Sequence, residues 1–275
     1  MKKTTEELIQ GYSLKASQGN VCKKLQSGLP NGVSIEIESA CNVSRGTLKG
    51  LIEQNVNGLH DLDVGTDCTI RTCNDFPYNN ETRFRIDAQD VDKAVAVADI
   101  IGSQSQADAQ SGIHVHFSAF PFASANPRTM RGVLKLAKRT LRIVSVLARR
   151  FRKAGFALSG GRNRIAHNYC KPISDNDVSN LKRVIQRITE LDDTSENIER
   201  ALSMLANATD YRESVVNLRN FENGRYEIGK RSFELRGFSA SSAERKRTQV
   251  ATSGMHLEAI LFFIYNGLSA VISES

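Results

Sequence analysis

Four short stretches of the chain alternate strictly between apolar and ionisable or polar side chains. They are Ser34-Ile35-Glu36-Ile37-Glu38, Glu81-Thr82-Arg83-Phe84-Arg85-Ile86, Ile113-His114-Val115-His116-Phe117-Ser118 and Phe233-Glu234-Leu235-Arg236. A period of two marks a strand with one buried face. Each strand therefore turns isoleucine, valine, leucine or phenylalanine to one side. To the other it turns Glu36 and Glu38, Glu81, Arg83 and Arg85, His114 and His116, or Glu234 and Arg236. Between these strands the apolar residues recur at helical spacing. Ser44 is placed to cap a short helix holding Leu48, Leu51 and Ile52. Asp87 or Asp90 is placed to cap another, carrying Val91, Ala94, Val95, Ala98 and Ile101. The strongest helical period runs over 127–154, with Met130, Val133, Leu134, Leu141, Val144 and Leu147 as its stripe. Further helices are predicted over 175–191, 195–206 and about 249–272. Helices interspersed among strands bury their stripes against the apolar side of a sheet. The pattern thus predicts an α+β fold, with a curved, largely antiparallel β-sheet, a concave ionisable face and helices on the opposite face. Pro30-Asn31-Gly32 reads as a turn before the first strand. Residues 1–30 are weakly amphipathic and carry no assignment, and 31–275 reads as a single domain.

Composition narrows the class. Of 275 residues, 40% are hydrophobic and 24% charged, which excludes disordered and fibrous chains. The longest apolar run, 259–272, contains Asn266 and falls short of the roughly 20 residues a membrane span needs, so it reads as a buried helix. Lys2 and Lys3 are followed by Glu6 and Glu7, where a secretory signal would need an apolar core. The spacing Cys68-x4-Cys73 lacks the second pair of ligands that would complete a zinc site. A soluble, reduced, cytoplasmic protein is expected. The net charge of +7 is local: residues 128–164 hold twelve Lys/Arg and no acid, and the remainder is net acidic. Either this segment meets a polyanionic partner, or it is a solvated helix of one sign.

The ionisable side of the strands is where chemistry concentrates. Four carboxylates on one surface repel one another unless cations compensate. Arginines would do so in a structural ion-pair network. Divalent Mg²⁺ or Mn²⁺ would also do so, through carboxylate oxygens and an imidazole. Both readings follow from the pattern. The chain has no Gly-x-x-x-x-Gly-Lys loop and no Gly-x-Gly-x-x-Gly after a strand, so a nucleotide would be held by metals and arginines instead.

These same residues resemble a known family. Gly112-Ile113-His114-Val115-His116-Phe117-Ser118 is similar to the His-x-His-x-Ser strand of glutamine synthetase–type enzymes. It is closer to the Gly-x-His-Val-His strand of the amidoligases, a branch of the carboxylate–amine ligase superfamily. Val33-Ser34-Ile35-Glu36-Ile37-Glu38 resembles that family's Gly-x-Glu-x-Glu strand. Thr66-Asp67-Cys68-Thr69-Ile70 resembles its Asp-Gly-Ser-Ile segment, with Cys68 in the glycine's place. Asn80-Glu81-Thr82-Arg83 resembles its Glu-x-x-Ser-Pro strand without the Ser-Pro. Asn168-Tyr169-Cys170-Lys171-Pro172 and Val216-Asn217-Leu218 also have counterparts. Ser232-Phe233-Glu234-Leu235-Arg236 resembles the Ile-Glu-Phe-Arg strand before the last helix. The matches follow the family's order over about 33–270.

The resemblance implies a glutamine synthetase-like catalytic domain and an ATP-dependent ligase that forms an amide from a carboxylate and an amine through an acyl phosphate. It implies that Glu36, Glu38, Glu81, His114 and Glu234 coordinate divalent metals bridging the ATP phosphates. His116, Ser118 and Arg162 would lie beside the nucleotide. Arg236, with Arg164 as a second cation and Asp67, would serve the phosphoryl transfer. Two other readings stand beside it. One is a catalytically degenerate relative that binds without turnover. The other is a nucleic-acid or polyanion-binding protein using the basic helix 128–153.

Overall fold

The computed structural model of the protein describes residues 33–107, 111–118, 128–153, 171–209, 216–221, 232–240 and 253–272. Its strands are β1 (Val33–Cys41), β2 (His60–Thr66), β3 (Tyr78–Ile86), β4 (Ser105–Gln106), β5 (Gly112–Ser118), β6 (Val216–Asn217) and β7 (Ser232–Ser239). Its helices are α1 (Arg45–Asn55), α2 (Val91–Ser103), α3 (Met130–Lys153), α4 (Asp175–Ile188), α5 (Ser195–Ala206) and α6 (Gly254–Ile272). The strands form one seven-stranded sheet in the order β2-β3-β1-β5-β7-β6, with β4 added beside the C-terminal end of β1. Every pairing within it is antiparallel. The fold is α+β, as the alternation predicts. The sheet is open and uncurled, which corrects the expected curvature. Strand register alone brings the ionisable side chains together, so bending is not needed to gather them.

All four patterned strands are present, and their apolar sides face the core. Val33, Ile35 and Ile37 of β1, Phe84 and Ile86 of β3, Ile113, Val115 and Phe117 of β5, and Phe233 and Leu235 of β7 are buried. In β7 the alternation breaks once. Ile113 pairs with Phe238 but Val115 pairs with Leu235, so β7 carries one extra residue across Arg236 and Gly237. This bulge returns Phe238 to the apolar side. There its ring meets Phe263 of α6 edge-on at 6.1 Å, and Phe233 meets Phe221 likewise at 5.0 Å. An equivalent shift in β2 between His60 and Asp63 coincides with Asp61 at a φ of 53°.

The helices cover the apolar side. α2 packs on β1, β3 and β4 and against α6, and α6 in turn packs on α3, which also meets α4 and α5. Ser44 caps α1 by accepting from Thr47 N, as expected. Neither Asp87 nor Asp90 caps α2 with its side chain; a 3-10 turn (Ala88–Asp90) intervenes, and the Asp90 carboxylate pairs with Lys93 at 3.2 Å instead. In α3 the buried arc is wider than the predicted stripe. It takes in Leu136, Ala137, Thr140 and Ile143, while Leu134 and Leu141 are half-buried. Among the described residues no helix is long and apolar enough to cross a membrane.

The contact between α2 and α6 requires glycine. A Cβ at Gly254 would lie 2.5 Å from Val95 Cγ1 and 2.7 Å from the Val95 carbonyl oxygen. The Gly254 N–H donates to Asp99 Oδ1 at 2.6 Å, which places a carboxylate at the positive end of α6. Gly254→Ala is therefore expected to destabilise the protein by about 1–3 kcal/mol, the scale of forced overpacking, read as a lowered midpoint in thermal or urea unfolding.

Candidate metal and phosphate site

Register builds the site. β1 lies between β3 and β5, with Glu36 paired to Arg83 on one side and His114 on the other. One step along, Glu38 pairs with Glu81. On the far side of β5, His116 pairs with Glu234, which pairs with Asn217 of β6. Glu36, Glu38, Glu81, His114, His116, Glu234, Arg83 and Arg236 thus meet on the polar side of four neighbouring strands.

Glu36 is at the centre. Its Oε2 lies 3.1 Å from His114 Nδ1, and its Oε1 lies 3.2 Å from His116 Nε2 and 3.3 Å from Arg83 Nε. Burial works against its charge, but the hydrogen bonds and positive charge of the two histidines outweigh it and hold the carboxyl well below the usual carboxylate range. The reciprocal effect falls on His116. Burial opposes its protonation, yet the pairing with Glu36 and the charge of Glu234 raise the imidazole above its ordinary value.

The other carboxylates are each fixed by a different donor. Glu38 accepts the Gly112 N–H at 2.6 Å, and its other oxygen stands 3.5 Å from His114 Nε2. That nitrogen is buried and makes no hydrogen bond. Glu81 accepts from Arg83 Nη2 at 2.6 Å and from its Nε at 2.9 Å. Burial, with the charges of Glu36 and Glu38, still pushes the Glu81 carboxyl up against the attraction of Arg83. Glu234 accepts from Arg236 Nη1 at 2.8 Å and from Asn217 Nδ2 at 2.7 Å. Asn217 is itself held by the Arg219 N–H on its Oδ1 at 2.9 Å.

Three of these residues stand close enough to share one cation. Glu36, His116 and Glu234 each offer one donor atom, and the three atoms lie within 4.8 Å of one another. Two carboxylate oxygens with one imidazole nitrogen form a donor set that suits Mg²⁺ or Mn²⁺. The grouping includes His116, expected beside the nucleotide; His114, expected as a ligand, stands beside the same two carboxylates, with its Nδ1 3.1 Å from Glu36 Oε2 and 3.7 Å from Glu234 Oε1. Glu38 and Glu81 stand one row away.

The remaining expectations are placed as follows. Arg236 is in the cluster, half-buried against Glu234. Asp67 follows β2, where its Oδ1 accepts from Thr69 N and Oγ1, both at 2.8 Å, and so closes a turn. Ser118 ends β5, paired with Ser232. Arg162 and Arg164 lie outside the described residues. The Gly112 N–H and the Asn217 amide are parts of the site that the alternation did not assign. No protein-family model matches the chain, and no curated protein matches it.

Three shifted groups, His116, Glu81 and Glu36, set a pH dependence. A histidine raised above its ordinary 6.5 contributes stability that is full below that pH and is lost as pH rises through the folded value. Glu81, also raised, acts in the same direction from its ordinary 4.5 upward. Glu36, lowered, contributes fully above about 4.5 and loses that contribution progressively as pH falls from there through the folded value. The metal-free protein is thus expected to lose stability as pH rises above about 6.5. His116→Gln is expected to flatten that limb, and thermal unfolding across the range in chelator checks both.

Proposed function

We propose that this face binds a divalent metal together with ATP, and that the protein is an ATP-dependent carboxylate–amine ligase with a glutamine synthetase-like catalytic domain. One observation carries the reading: Glu36, Glu38, Glu81, Glu234, His114, His116 and Arg236 meet on adjacent strands. They are the residues on which the amidoligase resemblance rests. A charge argument supports it. Arg83 and Arg236 offset two of the four carboxylates. The two remaining negative charges call for two imidazolium ions or one divalent cation. The free thiols of Cys41, Cys68 and Cys73 suit the reducing cytoplasm, where ATP is abundant.

Glu36, His116 and Glu234 would hold the metal, with Glu38 and Glu81 in the next row. When bound, metal and ATP supply the phosphoryl group and the charge neutralisation needed to turn a carboxylate into an acyl phosphate, from which an amine displaces phosphate to give the amide. The chain's own residues prepare that event. Asn217 fixes Glu234 Oε2, and the Gly112 N–H fixes Glu38, so neither carboxylate has to be ordered on binding. Arg236 stands two residues from Glu234 and keeps its guanidinium aligned through one nitrogen, suited to a phosphoryl oxygen.

Mg²⁺ or Mn²⁺ with ATP is expected to raise the thermal midpoint, by an amount equivalent to about 2.7 kcal/mol at a hundredfold excess over Kd. Glu36→Gln and Glu234→Gln are expected to remove most of that rise while the metal-free chain stays folded. An undiminished rise in both would favour the ion-pair network instead.

Arg236 tests the chemical step. Its loss is expected to leave nucleotide affinity within about tenfold and to lower the single-turnover rate by roughly 10²-fold, because the contact strengthens as charge redistributes. Arg236→Lys is expected to restore only part of the rate, since an ammonium lacks the planar two-point grip. The measurement is amide or phosphate formation across a mass-spectrometric screen of acid–amine pairs. Normal turnover in Arg236→Ala would make Arg236 a structural partner of Glu234.

A further inference from the structure

Along α3 the exposed cations form one straight stripe. Arg128, just before the helix, and Arg131, Lys135, Lys138, Arg142 and Arg149 are all exposed. Helical spacing places the five within α3 in an arc of about 60° and along about 27 Å, with Arg128 at the N-terminal end. The buried residues Val133, Leu136, Ala137, Thr140, Val144 and Leu147 occupy the opposite side, against α4, α5 and α6. The helix contains no Asp or Glu. Arg139, at the edge of the arc, is pushed down by burial and by the charge of Arg142, a sign of like-charge crowding.

We infer that this stripe binds the phosphodiester backbone of duplex nucleic acid, without reading its sequence. A rod of cations this long matches a polymer of regularly spaced phosphates better than a compact anion. Arginine and lysine contacts to phosphate fix position and carry no base information. The exposed side of α3 presents no aromatic residue among 128–149, so the base stacking that holds single strands is missing from it. A membrane surface fits less well, because the apolar side of α3 is spent in the core and none of it is left to enter lipid. The inference stands apart from the ligase reading, since none of these cations belongs to the sheet-face cluster.

The test uses the full chain and fluorescence anisotropy with labelled duplexes of about 20 base pairs, two DNA sequences and one RNA. Binding with comparable affinity to the two unrelated DNA sequences is expected. The logarithm of affinity is expected to fall with log salt at a slope of about −4 to −5, for roughly five phosphates engaged. Lys135→Glu with Arg142→Glu is expected to weaken binding at least tenfold and to reduce the slope by about two. The milder pair Lys135→Gln and Arg142→Gln guards against misfolding, and an unchanged thermal midpoint verifies it. Four results would overturn the inference: no binding at 50 mM salt and micromolar protein, affinity unmoved by the charge changes, selectivity above tenfold between the two DNA sequences, or equal binding to vesicles containing phosphatidylserine.

Discussion

Glu36 meets nitrogen atoms of three side chains at once, two imidazoles and a guanidinium, and much of the sheet is organised by that requirement. A half-buried carboxylate is costly unless its charge is met. His114 and His116 come from β5 and Arg83 from β3, so both neighbours of β1 must be present and in register. A slip of one residue between β1 and β5 would turn both histidines into the core and Ile113, Val115 and Phe117 out of it. The apolar and ionisable sides of these strands therefore enforce the same pairing. Core packing and charge pairing specify one register, which is a stronger constraint than either alone.

Such a cluster is a poor investment if stability is its only return. Buried ion pairs are often no better than well-packed apolar side chains of similar volume. Here four carboxylates share one surface, and burial with neighbouring negative charge keeps Glu81 raised in spite of Arg83. His116 is raised to meet the surplus. Protons on imidazole and a divalent cation are two ways of meeting the same deficit, and they exclude each other at His116 because a ligating nitrogen carries no proton. The backbone and amide donors to Glu38 and Glu234 hold under either balance. On the ligase reading, that combination of fixed oxygens with an exchangeable counter-charge serves binding, whereas a purely structural network has no need of it.

The strands that carry the site were legible because each has one buried face. β2, β4 and β6 were not. β2 lies at an edge, and its alternation is confined to Asp61-Leu62-Asp63-Val64 before Gly65, too short to mark a strand; β4 and β6 are two residues each. The bulge at Arg236 and Gly237 was hidden because Phe233-Glu234-Leu235-Arg236 alternates perfectly up to it. Helix positions were legible, but faces less so. α3 packs against three other helices, which widens its buried arc beyond the strongest apolar residues to include Ala137 and Thr140. In the site, residue types at period two named the carboxylates and histidines. Their partners came from elsewhere: the Gly112 N–H belongs to the backbone, and Asn217 reaches Glu234 only because β6 lies beside β7. Alternation puts His114 and His116 on one side, but it does not say which carboxylates each meets; the stagger against β1 and β7 sets that both reach Glu36 and that His114 also stands 3.7 Å from Glu234.

The two charged surfaces divide the anions between them. The polar side of the sheet carries more carboxylate than arginine, so it favours a bare triphosphate or a nucleic-acid backbone less than the α3 stripe does. On the ligase reading, phosphate reaches that side only in company with a divalent cation, and the metal-holding residues act before Arg236 does. The outer side of α3 carries five exposed cations, with Arg128 just before it, and no carboxylate of its own; on the nucleic-acid reading it meets phosphate with no such intermediary. The helical layer lies between, with apolar residues from α2, α3 and α6 filling it. A polyanion held on α3 therefore need not compete for the sheet-face ligands. The same opposition of sign makes the two surfaces separable: salt weakens the exposed stripe steeply, whereas the half-buried pairs around Glu36 are screened far less.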